Sequence, residues 1–407
     1  MKIPVSHIGE KLGNYIVDIA AGPFGSNLKV ECFVPEGFPI IDGANLKGFK
    51  VTDNVTKFVT EEKARSLHRS IAKRNDVIVT ISGNVGQISY IPFDSKYEEY
   101  LVSQRQFRVT FDEERVYIPY LVYYFHTKEG QHKILSFANQ TGVPALAQPL
   151  KNFKNIDICL PDIQTQKYIA SILEALDDKI ELNNRINHNL EEQAVALFES
   201  WFVDFEPFKR GKFVDSVMGP IPEGWRVGTL SEIADVIMGQ SPSGSSFNDE
   251  GRGIIFYQGR TEFSFRFPSI KLFTTEPTRF SEPKSILMSV RAPVGDINIA
   301  KTRCCIGRGL ASIKPHTDSY SFVLYTIKDK TEELDLYNGE GTVFGSINRK
   351  ELEKLSVIIP PQEIIDGFNA LVTPIDTKIE VLCDEITNLQ KQRDYLLPRL
   401  MSGYLNC

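Results

Sequence analysis

Carboxylates close to a lysine can converge on a metal ion and activate a water, so the Asp-x-Lys triplets come first. Pro161-Asp162 followed by Asp177-Asp178-Lys179 has the outline of a PD…(D/E)xK nuclease site, and Asp376-Thr377-Lys378 repeats its second half. Such convergence requires neighbouring strands. Both triplets lie instead in runs of helical periodicity, and the second has Pro360-Pro361 upstream in place of Pro-Asp. The spacing predicts a solvated helix face, not a metal site. His7, His68, His126, His132, His188 and His316 form no HxxxH, HExxH or HxE group. The cysteines (Cys32, Cys159, Cys304, Cys305, Cys383, Cys407) form no CxxC pair, which predicts reduced structural thiols and neither zinc nor a disulfide framework. A GxxxxGK[ST] loop for a nucleoside triphosphate, a GxGxxG turn after a strand and an NPPY-like methyltransferase tetrapeptide are all missing from the sequence. No catalytic apparatus is legible.

The elements that carry these triplets repeat one another: LDDKIELN at 176–183 returns as IDTKIEVL at 375–382. Around the first copy, Ile169, Leu173, Leu176, Ile180, Leu190 and Leu197 recur in steps dominated by three and four, and no Gly or Pro falls between 162 and 202. That pattern predicts one long amphipathic helix. Leu371, Ile375, Ile379, Leu382, Ile386 and Leu389 predict its counterpart, with Pro374 expected to kink or break it one turn in. Two matched apolar stripes bury each other best as an antiparallel coiled coil, with the acids between them facing water or a partner subunit.

The intervening segments are rich in β-branched and aromatic residues. DVIVTISGNVGQISYI (76–91) and SILMSVRAPVGDINIA (285–300) each read as strand, turn, strand, and SQRQFRV (103–109) aligned with IGRGLAS (306–312) pairs Arg105 with Arg308. Each half also closes alike, TGVPAL running into NIDICLP and TVFGSI into KLSVIIPP. The chain therefore reads as a duplication: a globule over 1–160, a helix over 161–203, a linker over 204–225, a second globule over 226–360 and a second helix over 361–403.

Net charge sorts along the same boundaries. The total of −6 conceals globular segments that are slightly basic, 19 Lys+Arg against 17 Asp+Glu over 1–160 and 20 against 18 over 208–360. The helical segment 161–207 carries 3 against 10, and 361–407 carries 4 against 7. Basic residues concentrate further over 252–314, eleven against four acids and interleaved with Phe256, Tyr257, Phe263, Phe265 and Phe267, and over 47–75, eight against three. Two related basic globules on an acidic spacer suit a nucleic acid read at two separated places. No apolar run is long enough to span a membrane and the first residues lack a signal-peptide core, so a cytoplasmic location is expected.

The stretches LPDIQTQKYIASILEALDDKIELNNRINHNLEEQAVALFESWFVDFEPF (160–208), PIPEGW (220–225), GQSPSGSSFNDEGRG with FYQGRTEF (239–263) and VLCDEITNLQKQRDYLLPRLMSG (381–403) resemble the specificity subunit of type I restriction-modification systems across essentially the whole chain. The second arm departs from the pattern in opening PPQEIIDGF and in containing Pro374. The resemblance implies an α+β fold: two α/β target recognition domains separated by two long antiparallel coiled-coil helices in a pseudo-two-fold duplication. It also implies a non-catalytic subunit that binds double-stranded DNA at a bipartite site and assembles with two methylation subunits and with restriction subunits. S-adenosylmethionine, ATP and Mg would sit on those partners and none of them on this chain. The residues suited to reading bases are Ser26, Asn27, Asn45, Ser82, Asn84, Gln104 and Arg105 in the first globule, and Ser243, Ser245, Gln258, Arg260, Arg291 and Arg308 in the second. Two other classes stay open. One is a stand-alone nuclease or methyltransferase, recognisable if purified protein cut or methylated DNA unaided. The other is a duplicated coiled-coil adaptor or anti-restriction relative without base reading, recognisable by a gel shift with no sequence preference.

Overall fold

A computed structural model describes residues 9–139, 144–317, 320–339 and 345–402. His7, Cys407 and residues 141–143 and 342–344 of the two similar closing stretches lie outside them. The chain divides into two compact units, one built from the residues up to Lys179 together with those from Asn388 onward, the other from Ile180–Thr387. Both long helices are shared between the units.

In the first unit, β1 (Ile16–Ala21), β2 (Phe33–Val34), β3 (Phe38–Ile41), β4 (Phe58–Val59), β5 (Ile71–Lys73), β6 (Val77–Thr80), β7 (Ile88–Tyr90), β8 (Glu99–Val102) and β9 (Gln106–Phe111) form two sheets. One has the order β1-β9-β6-β7 and the other β2-β4-β3-β8-β5, in which β3 and β8 are the parallel pair. The β6–β7 hairpin is the strand-turn-strand read at 76–91. Helix α1 (Ile118–His126) and the first half of α2 (Ile163–Phe198) cover the four-stranded sheet, and Val77, Val79, Phe107, Leu121 and Phe125 share one core with Ile169, Leu173, Leu397 and Leu400.

The second unit repeats this plan. Strands β10 (Ala234–Met238), β11 (Phe247–Asn248), β12 (Ile254–Tyr257), β13 (Phe273–Thr274), β14 (Phe280–Ser281), β15 (Ile286–Val290), β16 (Val294–Ile299), β17 (Cys304–Ile306) and β18 (Leu310–Pro315) pair as β10-β18-β15-β16 and β11-β13-β12-β17-β14, with β12 and β17 parallel. Strand for strand, the two orders are the same. Helix α3 (Tyr320–Asp329) takes the place of α1, and its core includes Phe198 from α2 and Phe368 and Val372 from α4 (Gln362–Met401). Each globule is closed by pairing its first and last strands, Glu10–Lys11 with Asp157–Ile158 and Arg226–Thr229 with Ser356–Ile359.

The first half of α2 thus packs with the end of α4, and the second half of α2 with its beginning, the order of an antiparallel pair. Ile180, Ile379, Leu382 and Ile386 are buried, and the fully buried Asn183 and Asn187 sit among them at positions the apolar count passed over. Three expectations need correction. Leu371 was placed in the seam and is half exposed, because Val372 and Phe368 take the buried face of that turn. The predicted break at Pro374 does not occur: α4 runs through it unbroken. Pro374 and Ala370 both face solvent, so the carbonyl that proline leaves without an amide partner can bond to water.

The third correction concerns the Asp-x-Lys triplets, whose first acids are not solvated. Asp177 accepts hydrogen bonds from Tyr123 Oη (2.5 Å) and Arg393 Nη1 (2.8 Å). Asp376, only 2% exposed, accepts from Ser321 Oγ (2.6 Å) and Tyr325 Oη (2.9 Å) and faces Arg266 Nη1 at 3.2 Å. These two carboxylates fasten the helices to α1 and α3. Asp178 pairs with Lys50, Glu191 with Lys328 and Arg266, and Asp384 with Lys301, so much of the acidity of the helices is neutralised by the globule beside it. Among the described residues no group of three His, Cys, Asp or Glu side chains is placed to hold a metal ion, and no helix is long and apolar enough to cross a membrane.

Candidate nucleic-acid interface

Each globule gathers four turns along one edge, where its two sheets meet. In the first unit these are the turn after β1, the turn after β3, the β6–β7 turn and the β8–β9 turn. Gly22, just beyond β1, donates to Gln106 O (2.8 Å), Ser103 to Ile41 O (2.9 Å) and Ile81 to Arg105 O (2.7 Å). The second unit repeats all three: Gly239 to Leu310 O (2.9 Å), Gly307 to Tyr257 O (2.8 Å) and Val290 to Gly309 O (3.0 Å). Glycine is required at the first of these junctions. A Cβ on Gly22 would lie 1.9 Å from Ser103 O, and one on Gly239 would lie 2.2 Å from Gly307 O.

These bonds fix the equivalences. Gln106 matches Leu310, Arg105 matches Gly309, and Gln104 matches Arg308, which corrects the alignment of Arg105 with Arg308 by one residue. The bridges Ser82 to Ala145 and Arg291 to Ser346 likewise match Ser82 with Arg291. The slip arose because strand composition does not define register, whereas the backbone ladder does.

Between its turns the first unit holds a cleft of about 570 Å³ lined by Ser82, Asn84, Gln104 and Arg105 together with Asp42, Lys57, Thr80, Gln87 and Gln106. Its floor is internally bonded: Thr80 Oγ1 donates to Gln87 Oε1 (3.2 Å), Gln106 Nε2 donates to Thr80 Oγ1 (3.4 Å), and Gln87 Nε2 donates to Gly43 O (3.4 Å). Lys57 is paired with Asp42 at 2.7 Å, and the Asp42 carboxyl is held below its usual range, burial opposing the shift while the Lys57 ammonium and the Ala44 amide drive it. The rim differs. Among the described residues, the side chains of Ser82, Asn84, Gln104 and Arg105 have no hydrogen-bond or ion-pair partner, nor do those of Ser26 and Asn27 on the adjoining turn. Phe24 on that turn is 83% exposed, a feature that sequence reading passed over and that its GPFG setting, a tight turn with an aromatic at its tip, could have signalled. Asn45 does not belong to the rim. It is buried, accepting from the Asp42 amide and donating to Thr52 O and Asn54 O, all at 3.1 Å, so its amide is committed to the turn.

The second unit has a cleft of about 540 Å³ that shares two of these lining positions, Ser82 as Arg291 and Gln104 as Arg308, and is otherwise lined by Arg279, Arg349, Gln240, Ser346 and Asn348. Among the described residues no carboxylate lines it. Arg279 was counted in the basic stretch 252–314 but not among the base-reading residues, and Arg349 lies outside that stretch; only the fold brings both beside Arg291 and Arg308. Ser243 and Ser245 hydrogen-bond each other (2.8 Å) on the exposed turn matching Ser26 and Asn27. Gln258 is exposed on the turn after β12, and Arg260, two residues on, is ion-paired with Asp296 at 2.7 Å. These four stand outside the cleft lining.

Two copies of one α+β globule, each presenting unpaired polar side chains in a cleft and each completed by paired long helices, define a duplicated recognition protein. The chain belongs to the family described as the type I restriction modification DNA specificity domain, which matches residues 35–192 and again 222–381. It is 35% identical over 292 residues to a protein of Methanocaldococcus jannaschii named as the MjaX type I restriction enzyme specificity subunit, covering 70% of this chain and 68% of that one. It is 26% identical to the HindI specificity subunit of Haemophilus influenzae over 397 residues, covering 78% and 84%. Among solved structures, the fold resembles the type I restriction-modification S subunit from M. genitalium, with a TM-score of 0.58, 16% identity and coverage of 97% and 95%.

Proposed function

We propose that this chain is the DNA-specificity subunit of a type I restriction-modification complex, and that the cleft of each globule reads one half of a bipartite duplex sequence. The observation that carries this reading is that the matched positions Ser82/Arg291 and Gln104/Arg308 line a cleft in each globule, with side chains that fold-internal partners leave unused. The first cleft has an internally bonded floor, and the rim side chains of both clefts stand free at the surface, where they suit the acceptors of a base edge. Residues 1–160 and 226–360 serve as the two recognition domains, 204–225 as the linker, and the helical segments 161–203 and 361–403 set the gap between half-sites. Each helical segment helps recruit one of two methylation subunits, and restriction subunits join that core. The subunit itself is not catalytic; S-adenosylmethionine and Mg-ATP are bound by its partners, and the complex works in the cytoplasm. Co-expression with a methylation subunit, followed by single-molecule mapping of methylated adenines, should return a split motif. Continuous motifs, or no methylation in the presence of an active methylation subunit, would overturn the proposal.

A further inference from the structure

We propose that the second cleft selects guanine through Arg291 and Arg308, whereas the same two scaffold positions in the first cleft, Ser82 and Gln104, make no such selection. The inference rests on the reading of both clefts as DNA-recognition sites and adds the base that one of them takes.

The backbone ladder supplies the first argument. Because Ser82 matches Arg291 and Gln104 matches Arg308, the two globules hold different chemistry on one frame. Phosphate is the same at every step of a duplex, so positions that only grip the backbone have no reason to change from neutral to cationic between two copies. Positions that read sequence do.

The second argument is the state of the arginines. In this unit Arg252, Arg260, Arg266, Arg303 and Arg349 each face a carboxylate within 3.4 Å. Arg279, Arg291 and Arg308 face none among the described residues, and these three are exposed in the same cleft. Three unpaired guanidiniums thus gather in one cleft, where Arg349 alone is matched by an acid, Glu353; Arg185 on α2 and Arg210 in the linker, likewise unpaired among the described residues, lie outside it. In the first cleft the cation of Lys57 is cancelled by Asp42, leaving Arg105 as the one unpaired cation among the lining residues.

Geometry supplies the third. A guanidinium presents two parallel N–H groups that match the O6 and N7 acceptors of guanine in the major groove; adenine puts an amino donor where O6 would be and repels one of them. Arg308 stands between Gly307 and Gly309 on the β17–β18 turn, beside Gly239, so no side chain on either neighbour crowds its approach to a base edge.

The test uses the full chain with its methylation subunit and compares wild type, Arg291→Gln, Arg308→Gln and Arg308→Lys by mapping the methylated motif. Thermal unfolding, measured alongside, should be unchanged for these exposed substitutions. The wild-type motif should contain guanine in one half, and each Gln variant should relax one guanine position by about tenfold or more while the other half stays unchanged. Arg308→Lys should relax the same position while retaining overall DNA affinity, because it keeps the charge and loses the fork. If all variants keep the wild-type motif and only weaken methylation uniformly, with a shallower salt dependence of binding, the arginines are phosphate contacts and the inference is wrong. A wild-type complex with no split motif would instead overturn the proposed function, and this inference with it.

Discussion

At Asp376 a buried carboxylate is held by two hydroxyls and the buried guanidinium of Arg266, itself 3.4 Å from Glu191. Removing one member leaves the rest charged and dry, so Arg266→Gln should destabilise the second unit by about 3–5 kcal/mol, read from the denaturant midpoint of the full chain. The matching site in the first unit reverses the donor. Arg266 occupies the place of Phe49, since Tyr90 donates to Phe49 O and Ile299 to Arg266 O, and the guanidinium beside Asp177 comes from the helix as Arg393, stacked 5.1 Å from the Phe49 ring centroid. Burial pushes the Tyr123 and Tyr325 hydroxyls up, so both remain donors. His126, packed against Phe49 with Nε2 2.8 Å from Ile88 O, is pushed down, chiefly by burial. A depressed histidine binds its proton more readily when unfolded, so its contribution is present above the unfolded value of about 6.5 and is lost as pH falls below it. Stability of the first unit should therefore drop between about pH 7 and 5, and His126→Gln should flatten that slope in thermal melts.

The helices show what the sequence makes legible and what it hides. Their extents, their antiparallel order and the β6–β7 and β15–β16 hairpins follow from apolar period, because one buried face imprints one period. Asp177 and Asp376 were misplaced for the same reason: each helix is covered on a second side by a globule, and a polar anchor there leaves no mark in an apolar count. The cleft rims were partly legible, since Ser82, Asn84, Gln104, Arg105, Arg291 and Arg308 lie on turns, but Asn45 looks the same in sequence and is spent internally. Asn183 and Asn187 also escape a count of apolar positions. Among the described residues, Asn183 has no hydrogen-bond partner for either polar atom and Asn187 reaches only Cys383 Sγ at 3.6 Å. Asn183→Leu should raise stability by about 1–3 kcal/mol while allowing other registers or self-association, detectable by paired denaturation and sedimentation measurements. Pro374→Ala should stabilise by up to about 3 kcal/mol, because it supplies the missing amide.

For the whole molecule, the decisive fact is that its first unit is discontinuous in the chain. Leu397 and Leu400 pack into the same core as Ile169, Ala170 and Leu173, although all strands of that unit precede residue 180. A chain ending at Thr387 forfeits burial of those two leucines, on the order of 3–6 kcal/mol, against a typical domain stability of about 5–15 kcal/mol. The Val77–Thr80 amides should then lose most of their hydrogen-exchange protection, while those of Ile286–Val290 keep theirs.

The same discontinuity sets a clock during synthesis. The ribosome finishes Lys179 and must add about 200 residues before Asn388–Met401 emerges, roughly 10–40 s at ordinary elongation rates. Throughout that interval the first globule displays the apolar stripe of Ile169 and Leu173 without its cover. The nascent chain should therefore need a chaperone midway through translation, and synonymous changes that slow elongation between residues 180 and 387 should lower the soluble yield without altering a single side chain.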